Sequence, residues 1–183
     1  MLKTILLSGL VIAGVGVVGV LAYAATKPDV FRLQRTATIN ASPQTVLGLL
    51  DDFRNWTAWS PWEKKDPHLK RIYSGAPRGA GAAYAWEGDK NVGKGNMLMT
   101  DATPARVALN LDFEKPFTAH NKVVFALESK GLTTDVTWSM EGPTPFFAKL
   151  IHVFIDMDKM VGKDFEAGLA DMKTAAEKQV AAR

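Results

Sequence analysis

The chain has no cysteine, which removes disulfides, thiolate chemistry and most structural zinc sites at once. Histidine is nearly as scarce. His68, His120 and His152 fall in different segments and form no ligand spacing, so no metal site is expected. Charge of one sign is lacking too. The 22 basic and 19 acidic residues leave a net charge of only +3, and they are interleaved, as in Glu63-Lys64-Lys65-Asp66. That balance gives no electrostatic footprint for nucleic acid. The serines have no nucleophile-elbow context, and the glycines around Gly93-Lys94-Gly95 match neither a P-loop nor a dinucleotide fingerprint. No catalytic residues and no cofactor are expected.

What is present begins with a long apolar run. Ile5 to Ala24 carries no charge, with Lys3 before it and Lys27-Pro28-Asp29 after it. About twenty apolar residues suffice to span a bilayer as a helix. The sequence therefore predicts an N-terminal transmembrane anchor over residues 1–26, joined to one domain over 27–183. A single pass through a bacterial inner membrane, with the domain on the periplasmic side, is the expectation. Ala22-Tyr23-Ala24 also fits a signal-peptidase site, so a cleaved leader stands as the alternative.

The remaining length suits one ordinary domain. Phe31 to Asn40 alternates as a strand, and Ser42-Pro43 then opens a helix with Ser as N-cap and Pro at the first helical position. Asp51 to Trp62 reads as a short aromatic-rich turn or second helix. Six strands follow: 70–74, 80–87, 93–101, 106–113, 118–129 and 133–140. Short Gly- and Pro-marked turns join them, which implies an antiparallel meander. After Gly142 to Pro145, one apolar stripe at helical spacing runs from Phe147 through Phe154, Val161 and Phe165 to Met172, with a break expected in 156–162. The fold class is α+β: a curved antiparallel sheet of about seven strands around a long C-terminal helix.

Strand parity sorts the side chains. Tyr84 and Trp86 share a face, as do Met97 and Met99, and so do Val136, Trp138 and Met140. The run Val107, Leu109, Leu111, Phe113 shares another. On the long strand 118–129, parity turns Asn121 inward and His120 outward. Large aromatics and two methionines on the inner face suit an adaptable cavity, and equally a packed core. Trp56, Trp59 and Trp62 form the densest aromatic cluster. They are placed either to rim that cavity or to plug its end. Asn121 and Tyr84 are the inward polar candidates for orienting a ligand.

This element order, with Ala37-Thr38-Ile39-Asn40-Ala41-Ser42-Pro43, Trp56-Thr57-Ala58-Trp59-Ser60-Pro61-Trp62, Gly162-Lys163-Asp164-Phe165-Glu166 and Gly168-Leu169, resembles the SRPBCC or START-like superfamily, in its bacterial polyketide cyclase/dehydrase-like branch. The resemblance covers residues 31 to 178. It implies a helix-grip fold with a deep apolar cavity between sheet and long helix. It also implies a hydrophobic small molecule or lipid as ligand, and it supplies no family-wide catalytic residues. The expected ligand-binding set is Trp59, Tyr84, Trp86, Met97, Met99, Phe113, Asn121, Trp138 and Phe165. The expected function is a membrane-anchored, non-catalytic binding protein that also touches the bilayer through residues 5–24. The alternatives are a cyclase/dehydrase-like enzyme on an apolar substrate, or an accessory subunit of a membrane complex.

Overall fold

A computed structural model describes the backbone of residues 2–182 and the side chains of residues 14–182. Helix α1 (Leu2–Ala25) leads into strand β1 (Val30–Ile39) and helix α2 (Pro43–Leu50). Ser42 caps α2, its Oγ accepting from the Thr45 amide at 3.3 Å. The last carbonyls of a helix have no intrahelical donor. Here two indoles supply it: Trp56 Nε1 donates to Leu50 O and Trp59 Nε1 to Leu49 O, both at 2.9 Å. Around these tryptophans the chain forms two 3₁₀ turns, Phe53–Ala58 packed against α2 and Pro61–Lys64 against α4 (Met157–Ala181).

The chain then meanders through β2 (Lys70–Gly75), β3 (Ala82–Glu87), β4 (Lys94–Thr103), β5 (Arg106–Lys115), β6 (Ala119–Lys130) and β7 (Thr133–Pro143). All neighbours pair antiparallel, and β1 closes the sheet beside β7, in the order β1-β7-β6-β5-β4-β3-β2. Burial alternates along β3, β6 and β7, so one face is inner. Asn121 is buried on it and His120 is exposed on the other side.

Helix α3 (Phe146–Phe154) and helix α4 (Met157–Ala181) complete the chain. The helical stripe read from the sequence is thus two helices. Ile155 and Asp156 are extended between them, and Asp156 caps α4 by accepting from the Lys159 amide at 3.1 Å. Helix α4 lays Phe165, Gly168, Leu169, Met172 and Ala176 onto the sheet.

The expected membrane placement is corrected. Among the described residues no helix is long and apolar enough to cross a membrane, which overturns the single-pass inner-membrane location and its periplasmic domain. Helix α1 also packs against α3, and Ala24 is fully buried. The expected n-region at Met1–Thr4 and the first part of the expected span, residues 5–13, lie outside the residues whose side chains are described.

Candidate functional site

The centre of the grip is filled by aromatic rings. Trp138 stacks on Phe165 of α4, with centroids 3.9 Å apart and planes at 11°. Phe125 lies 4.9 Å from Trp138, and Trp59 meets Trp138 edge-on at 5.5 Å. Trp59, Phe125 and Phe165 are buried to within 1% of full enclosure, which leaves them no solvent-facing surface.

Towards β2 the ring stack continues. Tyr84 lies between Tyr73 at 5.3 Å and Phe53 at 5.7 Å. Its hydroxyl donates to Glu63 Oε1 at 2.6 Å, while Arg71 Nε donates to Glu63 Oε2 at 2.6 Å. Burial pushes the Tyr84 phenol far above its ordinary range, and the Glu63 carboxylate adds to the shift. Trp86 donates to Val92 O at 3.0 Å and meets Phe113 edge-on at 5.6 Å. Met97 and Met99 are buried beside these rings.

Space opens at the other end of the grip. A cavity of about 250 Å³ lies between β1, the end of β7 and the start of α4. Its apolar wall is Phe31, Leu33, Met140, Met157 and Val161. Its polar residues include Lys27, Thr144, His152 and Asp158. Thr144 borders the space and is 3% exposed; its hydroxyl is itself fully enclosed and has no hydrogen-bond partner among the described residues. Such an orphan is uncommon and asks for an explanation. Two further orphans share the inner face: Asn121 Oδ1 and Trp138 Nε1. Asn121 lies against Gly142, where a Cβ would come within 2.1 Å of Oδ1.

One side of the cavity is pinned by Arg35. From an inner position of β1 it donates to Glu166 Oε1 at 2.7 Å and to Asp158 Oδ1 and Oδ2 at 3.0 and 2.9 Å. The Asp158 carboxylate is held below its ordinary range by this guanidinium. On the opposite side His152 is half-buried, and neither ring nitrogen has a protein partner among the described residues. Burial lowers its pKa and the Lys27 charge lowers it further, so the ring is neutral at pH 7. A more open groove, lined by Val153 to Asp156, shares Lys27, His152 and Met157 with the cavity.

None of the nine residues expected from sequence to bind a ligand borders this cavity. Trp59, Tyr84, Trp86, Met97, Met99, Trp138 and Phe165 belong to the central core, Phe113 packs at its edge, and Asn121 lies next to it on the same sheet face. Phe31, Leu33, Met140 and Val161 were legible as core positions from their spacing. Thr144 was not, because Gly142-Pro143-Thr144-Pro145 reads only as a breaker. Among the described residues no group of three or more His, Cys, Asp or Glu could hold a metal.

A curved seven-stranded antiparallel sheet gripping a C-terminal helix, with an apolar space between them, defines a ligand-binding helix-grip domain. The chain belongs to the family described as polyketide cyclase / dehydrase and lipid transport, whose model matches residues 30–177. Solved structures share the fold at low identity. The Zhui aromatase/cyclase from Streptomyces sp. R1128 is 15% identical, covering 82% of this chain and 96% of its own, with a TM-score of 0.59. The Aha1 dimer from Colwellia psychrerythraea is 17% identical, covering 80% and 96%, with a TM-score of 0.57. A protein from Chromobacterium violaceum is 15% identical, covering 82% and 99%, with a TM-score of 0.57. No curated protein matches the chain significantly.

Proposed function

We propose that this chain binds a hydrophobic small molecule in the cavity beside Thr144 and releases it unchanged. One observation carries the reading: a largely apolar space of about 250 Å³ between the sheet and α4. At roughly 30 Å³ per water-sized group, the space takes about eight such groups. Burying roughly 200 Å² of apolar ligand surface is worth about 5 kcal/mol, which corresponds to a dissociation constant on the order of 0.1 mM.

A cyclase-like reading has one observation in its favour, a neutral His152 at the cavity edge. A general base of this kind is ordinarily oriented by a second group. His152 has no such partner among the described residues, which favours binding over chemistry. The test is an NMR titration with 1-octanol. Shifts are expected at Leu33, Met140, Thr144 and Val161. Val161→Trp, which fills the space, should weaken binding about tenfold or more while the domain still melts cooperatively. Octanol shifts confined to other residues, or unweakened binding by the Trp variant, would refute the proposal.

A further inference from the structure

The charges at the cavity mouth are not evenly matched. Asp158 is held by Arg35, Glu141 by Arg32 at 3.2 Å, Asp29 by Lys149 at 2.6 Å, and Asp156 lies 3.5 Å from Lys159. Each carboxylate near the opening therefore has a basic partner. Lys27 has no carboxylate among the described residues. Its ammonium donates to Tyr23 Oη at 3.1 Å and sits 4.6 Å from the Tyr23 ring centre. A partly buried cation whose only protein partner among the described residues is a phenol leaves room for an anion. The His152 ring, also without a protein partner among the described residues, shares with it both the apolar space and the open groove.

We infer that the ligand is an anionic amphiphile, its apolar tail in the cavity and its carboxylate or similar acidic head between Lys27 and His152. This rests on the cavity being the ligand site and adds the polarity and direction of what enters it. The tail fills the space bounded by Leu33, Met140 and Val161. The head stays at the mouth, where water can still reach part of it, so the desolvation cost of a charge is only partly met. The anion also reverses the influence that Lys27 exerts on His152. An imidazole beside a lone cation resists protonation, whereas one facing a carboxylate gains from it.

Three probes of one tail length separate this inference from the proposal beneath it: octanoate, 1-octanol and octylammonium. Octanoate should bind about tenfold or more tighter than octanol, since a hydrogen bond to a charged partner is worth more than a neutral one. Octylammonium should bind most weakly. Lys27→Met keeps the apolar stem and should remove the octanoate advantage, bringing octanoate and octanol to equal affinity, and Lys27→Arg should restore most of it. His152, followed through its ring carbon shift, should titrate at a higher pH with octanoate bound than in the free protein. The nearby charges that remain constant across these probes are Lys149 with Asp29, Arg32 with Glu141, and Asp156 and Asp158 at the start of α4. Equal binding of octanoate and octanol, or an octanoate preference that survives in Lys27→Met, would overturn the inference and leave the cavity proposal standing. Failure of all three probes to bind would overturn both.

Discussion

Gly168 lets α4 pack directly on Trp138 of β7, and adding one methyl group there tests how rigid the aromatic centre is. A Cβ at 168 would lie 2.8 Å from Trp138 Cζ3 and 3.0 Å from Pro61 Cδ. Ordinary carbon contacts begin near 3.5 Å, so the neighbours must give by more than half an ångström. Trp138 has nowhere to go, being stacked on Phe165 at 3.9 Å and flanked by Phe125, Trp59 and Trp62. Gly168→Ala in a free helix would stabilise by about 1 kcal/mol. Overpacking a filled core costs about 1–3 kcal/mol. With Trp138 unable to move aside the second effect wins, for a net loss of up to about 2 kcal/mol. At about 2–4 °C per kcal/mol for a chain of this size, the melting temperature should fall by up to about 8 °C. Trp138→Phe removes the ring atoms in question. In that background Gly168→Ala should no longer destabilise, giving a coupling of about 1–3 kcal/mol in a double-mutant cycle read by thermal or urea melts. A wild-type background in which Gly168→Ala raises the melting temperature would refute the picture of a tightly filled centre.

Gly162 presents the same geometry against a charged neighbour, because a Cβ there would fall 2.1 Å from Arg35 Nη2. Gly162→Ala should raise the melting temperature in an Arg35→Met background and fail to do so in wild type; equal gains in both would dismiss the Arg35 clamp. Asp66 accepts from the amides of His68 and Asp89, each at 2.8 Å, and those bonds hold its carboxyl below the ordinary range. A depressed carboxylate contributes stability in full above about pH 4 and loses it as pH falls through the native value. Urea midpoints between pH 5 and pH 2 should therefore fall more steeply for wild type than for Asp66→Asn, and parallel curves would rule the contribution out.

The strands were legible because their inner positions repeat every second residue, and β3, β6 and β7 keep that period without interruption. Ser42-Pro43 was legible because capping chemistry is local. The Trp cluster could be located but not assigned, since whether Trp59 rims a space or fills one depends on Leu49, Phe125 and Trp138 around it. Arg35 was passed over in an otherwise apolar alternation. Its meaning lies in Asp158 and Glu166, more than a hundred residues away. Thr144 escaped for a related reason: an unpaired hydroxyl is a property of its surroundings, and no neighbour in sequence announces it.

These same contacts frame the space at the end of the grip. Helix α4 packs mainly on β1 and meets β7 where Gly168 lies over Trp138. Near its N-terminus the Arg35 side chain lies across Gly162. The end of β7 offers Met140 and then a glycine on the inner face, and the short Thr144 follows the strand. The chain then enters α3, which packs against α1. The cavity lies among these residues, and it opens where Lys27 and His152 stand. A ligand held there meets smooth apolar walls along its tail and distinct polar groups at its head. On the proposed reading the apolar walls sort tails by about 1–3 kcal/mol per methylene group gained or lost, and the polar mouth sorts them by the charge of the head, by about tenfold.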